Sequence, residues 1–424
     1  MAVLALAFLL RLLWINWTQP TPFSDFEVYW AQAQQIYHGH YDFDIIERHP
    51  GIMLLYTFFF YGLGNSLWVG WAVNLLFSIL SLFLIFALSR NYFGRFVGWA
   101  AVVLMAVLPQ AVSYTAIMAS EIPAIVMMMM VLWLLTKPDL SREHWMNQVG
   151  VGFVIFVATM IRSTNLLMLP FLLLTEIKSL GSPFSWKQIQ HALRRLVPLL
   201  TTVALLLGSW VFHQYLLTGK AKLFFGEEIW MLYATNYEHN GSMFEPMPFK
   251  DDIQKVDDGS LAGRLRSYQV MQDKSWGIIQ SDPLKYLQFG FVRLKGILWD
   301  SRTGVQWSID HSKMLKTTII QHPKLLRHLA EYSTQFWRAI LVLASFGFIC
   351  LMSTVWREQD LEKKRVATAI LVFLILWLVM HYSIAVATDR YQFQILPWVI
   401  LLASISLEKL NTGVQKLIAK PRII

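Results

Sequence analysis

The stretch "PFSDFEVYWAQAQQIYHGHYDF", residues 22–43, lies between two strongly apolar runs, 1–17 and 52–61. Carboxylates, histidines and aromatic rings are crowded into one polar segment, and its reading depends on what the rest of the chain is. Of 424 residues, 56% are hydrophobic and only 15% charged, which excludes an ordinary soluble globular protein. The chain reads as an all-α polytopic membrane protein, so these 22 residues form a loop beside a lipid bilayer.

The formal net charge of +9 invites a nucleic-acid partner, but the basic residues are scattered in short clusters between apolar runs. The positive balance reads as topology, with no nucleic acid implied. Cys350 is the single cysteine, so neither an intrachain disulfide nor a thiolate metal cluster is available. The segment 1–17 reads as a retained first span, because Arg11 interrupts its apolar core and no small-residue cleavage site follows.

A membrane helix needs about 20 mostly apolar residues. About ten spans are expected: 1–17, 66–89, 97–115, 122–136, 148–161, 164–177, 196–217, 336–356, 366–387 and 391–406. The fifth and sixth are read as a tight hairpin, since Arg162, Ser163, Thr164 and Asn165 would otherwise form a costly polar belt in lipid. The run Ile52 to Tyr61 is half the length needed to cross and is expected to lie in the membrane plane.

Short-loop lysines and arginines set the orientation. Arg90, Arg95, Lys137, Arg142, Lys178, Lys187, Arg194, Arg195, Arg357 and Lys363–Arg365 fall on one side, which is therefore cytoplasmic. The opposite side receives the loop 18–65, the Ser120-Glu121 turn, the Asp389-Arg390 turn and the long polar segment 218–335. The division expected is a transmembrane module at 1–217, an extracytoplasmic domain at 218–335 and C-terminal membrane helices at 336–424. Within the second, Ser281-Asp282-Pro283 has the form of a helix cap with proline in the first turn.

Ser24-Asp25-Phe26-Glu27 has the spacing of a capping box, with Ser24 as N-cap and Glu27 reaching back. Asp25 would then complement the helix dipole, and the same geometry suits a general base with Tyr29 one turn later. Glu121 has the same two readings, as a first-turn acid or a site carboxylate. Arg48-His49 and Arg390-Tyr391 stand at interface positions, where cations either snorkel or grip a phosphate. His38, His40, Asp42, Asp44 and His49 offer ligands for a divalent metal, although no standard spacing is matched.

The order "SDFEVYWAQA", "RHPG", "LSRNYFGR", "SEIPA" and "DRYQFQILP" resembles the GT-C glycosyltransferases of the protein O-mannosyltransferase and aminoarabinose-transferase type, similar to glycosyltransferase family 39. The resemblance implies Asp25 at the catalytic centre with Tyr29 beside it, Phe26 replacing the family's second acid so that this role passes to Glu27. It places His49 where a donor-phosphate lysine is expected, with Arg48 as substitute, and Glu121 at the second acidic site. Arg390, Tyr391 and Pro397 match its Arg-Tyr pair and later proline. "TNYEHNG", with Asn236 and His239, and Lys295 before Trp299 carry further likeness in the outer segment.

By that resemblance the expected activity is an inverting transfer of sugar from a polyprenyl-phosphate donor to a glycan, glycolipid or protein hydroxyl. The site would face outward from a bacterial inner (plasma) membrane, with no cofactor demanded and a divalent metal left open. Two rivals remain. A lipid or lipid-linked-sugar flippase predicts mid-span charges and pseudo-repeats, and only Arg11 and His381 qualify. A non-catalytic lipid-linked-sugar binding protein would keep the fold without the chemistry.

Overall fold

A computed structural model describes residues 2–40, 48–136, 145–179, 186–224, 250–312, 314–315, 323–357, 361–384 and 388–418. Among these the chain is helical throughout, with one isolated bridge between Pro20 and Ser312. The first half runs α1 (Ala2–Thr18), α2 (Ser24–Tyr37), α3 (Pro50–Leu63), α4 (Leu67–Phe93), α5 (Arg95–Val107), α6 (Pro109–Ser113), α7 (Glu121–Thr136), α8 (Trp145–Ile161), α9 (Met168–Ser179) and α10 (Trp186–Thr218). The second half runs α11 (Lys250–Val256), α12 (Leu261–Ser281), α13 (Pro283–Trp299), α14 (Thr303–Asp310), α15 (Pro323–Arg357), α16 (Leu361–Ser383) and α17 (Leu396–Ile418).

By length and composition, four described helices are long and apolar enough to cross a membrane: Leu67–Phe93, Trp186–Thr218, Lys324–Trp356 and Val366–Ser383. A fifth span is obtained if the bent pair α5 and α6 is one. The ten spans expected from hydropathy therefore include several shorter apolar helices, α1, α7 and α8 among them. Between the expected fifth and sixth spans, a 3-10 turn at Ser163–Leu167 separates α8 from α9. The expected eighth span begins earlier than its apolar window, because α15 extends back through polar residues to Pro323.

The expected third span is broken by 62°. Proline has no N–H, so Pro109 cannot satisfy the carbonyl four residues earlier, Met105 O. Arg11 supplies the missing donors: Nη2 donates to Met105 O at 3.1 Å and Nη1 to Ala106 O at 3.0 Å, while Nε donates to Ser78 Oγ at 2.7 Å. Arg11 is fully buried on α1. The charge that looked like a flaw in the first span is the cap of a broken helix, and irregular backbone at membrane depth needs such a partner.

The break redirects α6 toward the second half of the chain. Gln110 Nε2 donates to Asp389 O at 3.3 Å, and Ser301 Oγ donates to Gln110 Oε1 at 3.0 Å. Gly304 lies flush on α6, where a Cβ would meet Ser113 and Tyr114 at 2.5 Å. Thr303 N donates to Asp389 Oδ2 at 2.9 Å and Gln392 Nε2 to Asp300 O at 2.9 Å. These bonds hold the 3-10 turn Asp389–Gln394 between α6 and α14.

Two local readings can now be compared. Asp282 caps α13 by accepting from Lys285 N at 3.0 Å, with Pro283 in the first turn, as its sequence requires. The capping box at Ser24 does not form. Ser24 has φ +49°, whereas an N-cap needs extended backbone, and the cap position is Phe23, without a side-chain bond. Glu27 is exposed on α2.

Replacing Arg11 with Leu should leave the carbonyls at the Pro109 break without donors and lower stability by about 1–3 kcal/mol per orphaned group. Thermal unfolding in detergent measures it, and Arg11→Lys, which offers one ammonium in place of a fork, should fall between the two.

Candidate active site

Five side chains from five places in the sequence meet in one line of alternating charge. Arg48 Nη2 lies 2.7 Å from Asp25 Oδ1, and Arg390 Nη1 donates to Asp25 Oδ2 at 2.8 Å. Arg390 Nε bonds to Glu121 Oε1, and Arg162 Nη1 donates to the same oxygen at 2.9 Å. The order is Arg48, Asp25, Arg390, Glu121, Arg162. Three guanidiniums face two carboxylates, which leaves one excess positive charge among the five.

Exposure falls from Arg48 to Glu121 and stays low at Arg162. Side-chain accessibility is 28% at Arg48, 23% at Asp25, 12% at Arg390, 4% at Arg162 and 0% at Glu121. The site therefore has a mouth at Arg48 and a floor at Glu121. Buried ion pairs are poor devices for stability alone, because desolvation offsets their attraction. Clustered as they are here, they mark a candidate functional site.

Each element brings its residue for a local reason. The first turn of α2 holds Asp25, and the buried face of that helix, Phe26, Tyr29 and Trp30, packs it down. Pro50 opens α3 immediately after Arg48 and His49. Gly51 lets α3 press onto α8: a Cβ there would meet Met160 C at 2.5 Å and Ile161 N at 2.6 Å. That contact sets the start of α3 against the end of α8, and Arg162 is the residue after Ile161. Glu121 heads α7, and the turn Asp389–Gln394 presents Arg390, whose guanidinium lies 5.0 Å over the Phe26 ring.

The remaining sequence candidates fall as follows. Tyr29 is buried behind the line, and its field reaches Arg390. Tyr391 carries the Arg162 guanidinium 5.5 Å above its ring and has His381 beside it, centroids 5.7 Å apart. His49 is buried, with its ring 4.2 Å from Phe224, and Nε2 accepts from Ser163 N at 2.9 Å. That nitrogen is thereby occupied as an acceptor and does not donate to a phosphate in this arrangement. Glu27 and Lys295 are exposed on α2 and α13. Asn236 and His239 lie outside the described residues, as do Asp42 and Asp44. Among the described residues, no three His, Cys, Asp or Glu side chains are grouped to hold a metal ion.

Two participants were not singled out as site residues. Arg162 was read only as a polar cost of a hairpin. Tyr114 is fully buried, its hydroxyl has no hydrogen-bond partner among the described residues, and the charges of Glu121, Arg390 and Arg162 all act on it. Glu121 Oε2 is likewise buried without a partner.

The fold is that of the GT-C membrane glycosyltransferases. Residues 48–219 match the family described as dolichyl-phosphate-mannose-protein mannosyltransferase. The crystal structure of the Archaeoglobus fulgidus oligosaccharyltransferase in the apo form superposes with a TM-score of 0.55 at 11% identity, covering 98% of this chain and 52% of that one. The same organism's AglB in complex with an inhibitory peptide and a dolichol-phosphate gives 0.54 at 12% identity, covering 100% and 51%. The chain thus spans about half the length of these structures. ArnT from Cupriavidus metallidurans bound to undecaprenyl phosphate is more distant, at a TM-score of 0.40 and 14% identity over 98% of this chain and 78% of that one. No curated protein sequence matches the chain.

The turn that carries Arg390 also carries a titrating group. Burial pushes the Asp389 carboxyl up to about 6, against the bonds from Thr303 that favour its charged form, and Oδ1 has no partner among the described residues. A carboxyl raised on folding contributes stability that is complete below its ordinary value near 3.8 and is lost as pH rises through about 6. Asp389→Asn should therefore gain melting temperature relative to wild type above about pH 6 and show no gain below about pH 4, read by thermal scans across that window.

Proposed function

We propose that the protein is an inverting glycosyltransferase that moves a sugar from a polyprenyl phosphate to an acceptor hydroxyl, at a site on the extracytoplasmic face of the plasma membrane. The observation that carries this reading is a single carboxylate, Asp25, held between two guanidiniums at the mouth of a site with excess positive charge. A lipid phosphate fits the excess charge and a proton acceptor fits the chemistry. The family matched over residues 48–219 is described by a dolichyl-phosphate sugar, which supports the same donor class.

In the resting arrangement Arg48 and Arg390 each occupy one oxygen of Asp25. An arriving phosphate meets Arg48 first, because it is the most exposed member of the line, and competes with Asp25 for its guanidinium. Asp25 Oδ1 then accepts the proton of the acceptor hydroxyl. The acceptor's hydroxyl oxygen, losing that proton, forms its bond to the anomeric carbon on the face opposite the phosphate as the carbon–oxygen bond to phosphate breaks. The electron pair leaves with the lipid phosphate, whose charge Arg48 and Arg390 receive, so no general acid is needed. Glu121 anchors Arg390 from the other side, and the phosphate cannot pull that cation out of line.

The prenyl chain explains the embedding: its hydrocarbon stays in the bilayer while the headgroup reaches a polar cleft. We assign residues 1–217 as the catalytic membrane module, 218–335 as its extracytoplasmic part and 336–424 as the helices that return Arg390 to the cleft. The acceptor class is a glycan, a glycolipid or a protein, and its assignment falls to experiment. The flippase alternative has less support, since the buried Arg11 caps a helix break and lines no pathway.

With a radiolabelled polyprenyl-phosphate sugar and purified membranes, Asp25→Asn should lower transfer by about 10²–10⁴-fold while the protein elutes as wild type in detergent. Arg48→Gln should raise the donor KM more than it lowers kcat. Near-normal transfer by Asp25→Asn would refute the base assignment.

A further inference from the structure

The reaction just described gives Arg162 no task, yet this residue is 4% exposed at the floor of the site. It stands at the break between α8 and the turn Ser163–Leu167, where the chain has left one helix and not begun the next. Its Nη1 donates to Ser120 Oγ at 3.0 Å and to Glu121 Oε1 at 2.9 Å, and its plane lies over Tyr391. A guanidinium held by a hydroxyl, a carboxylate and an aromatic ring has little freedom to move.

The consequence falls on Glu121. Oxygen Oε1 receives both Arg162 and Arg390, whereas Oε2 is buried and has no partner among the described residues. Buried polar atoms are nearly always satisfied, so an unmatched oxygen beside a reactive carboxylate marks a place for a ligand group. The buried hydroxyl of Tyr114, within the field of Glu121, is unmatched as well. One oxygen saturated by two cations and the other bare is the arrangement of a fixed acceptor.

We propose that Arg162 is a positioning residue that, together with Arg390, pins Oε1 of Glu121 and keeps this carboxylate ionised, so that Oε2 receives a second donor hydrogen of the acceptor, from a neighbouring hydroxyl or N–H, and orients the hydroxyl whose proton goes to Asp25. This rests on the transferase reading given above. The ionisable groups around Glu121 are Arg162, Arg390, Tyr114 and Tyr56, from α8, the Asp389–Gln394 turn, the 114–116 turn and α3. Only the two arginines are cationic, so removing Arg162 halves the charge that holds the proton off Glu121.

Arg162→Gln should lower kcat by about 10- to 100-fold, with a smaller change in donor KM, and shift the acid limb of the pH–rate profile to higher pH. Arg162→Lys, which keeps the charge but not the fork, should recover part of kcat and most of the profile. In a Glu121→Gln background, Arg162→Gln should cause no further loss, because the group it positions is gone. A scaffold role alone predicts the same loss in both backgrounds and an unmoved profile.

A second readout needs no turnover. At neutral pH the infrared spectrum of Arg162→Gln should show a protonated-carboxyl band missing from wild type and from the double variant Arg162→Gln/Glu121→Gln. Absence of that band, or an unshifted acid limb, overturns the proposal. Should wild type transfer no sugar, the transferase reading fails, and the carboxyl band alone then decides whether Arg162 sets the charge of Glu121.

Discussion

The bridging of Asp25 and Glu121 by Arg390 is the contact on which the site depends. Its partners are 365 and 269 residues away in the sequence, so one guanidinium ties the end of the chain to two segments of its first third. A long-range charged contact is costly to assemble, because both ends must be dehydrated and held before the pair is favourable. The surrounding structure does that holding. The Phe26 ring lies against the guanidinium, and the turn that bears it is bonded to α6 and to the 300–303 segment.

That support continues down into the bundle. Pro109 breaks a helix that would otherwise carry Gln110 elsewhere, and Arg11 satisfies the carbonyls that the break exposes. Gln110 then accepts from Ser301 and donates to the backbone of Asp389, one residue from Arg390. A charge on the first helix and a charge at the start of the last are thus linked through neutral hydrogen bonds. The geometry of the candidate site depends as much on this amide and carbonyl chain as on its ion pairs.

Much of this was legible in the residues, for reasons that can be named. Asp25, Glu121 and Arg390 stand out because a carboxylate or guanidinium next to an apolar run is expensive, and the three do stand in contact. The α13 cap was readable since Asp-Pro acts locally. Ser24 misled because the capping pattern assumes extended backbone, and the chain enters α2 from the left-handed region. In the sequence Arg162 reads only as a penalty and Arg11 only as an interruption of an apolar span or a mid-span charge: hydropathy registers the cost of a charge and is silent about the partner that offsets it. The bend at Pro109 and the polar extension of α15 escaped for a related reason, as a lipid-length window does not see where hydrogen bonding breaks or continues.

The burial of Arg11 also bears on biogenesis. A lone α1 entering lipid would carry an arginine whose insertion costs on the order of 2.5–3.5 kcal/mol at the helix centre. Alone, α1 offers its guanidinium only the carbonyl of Ala7; the other acceptors, Ser78 on α4 and the carbonyls of Met105 and Ala106 on α5, lie 67 to 95 residues further along the chain. The first helix must therefore wait, shallow or shielded, until the broken one arrives. Order of synthesis thus bears on packing, since the arginine of α1 is satisfied only once the bend that positions the candidate site has been made.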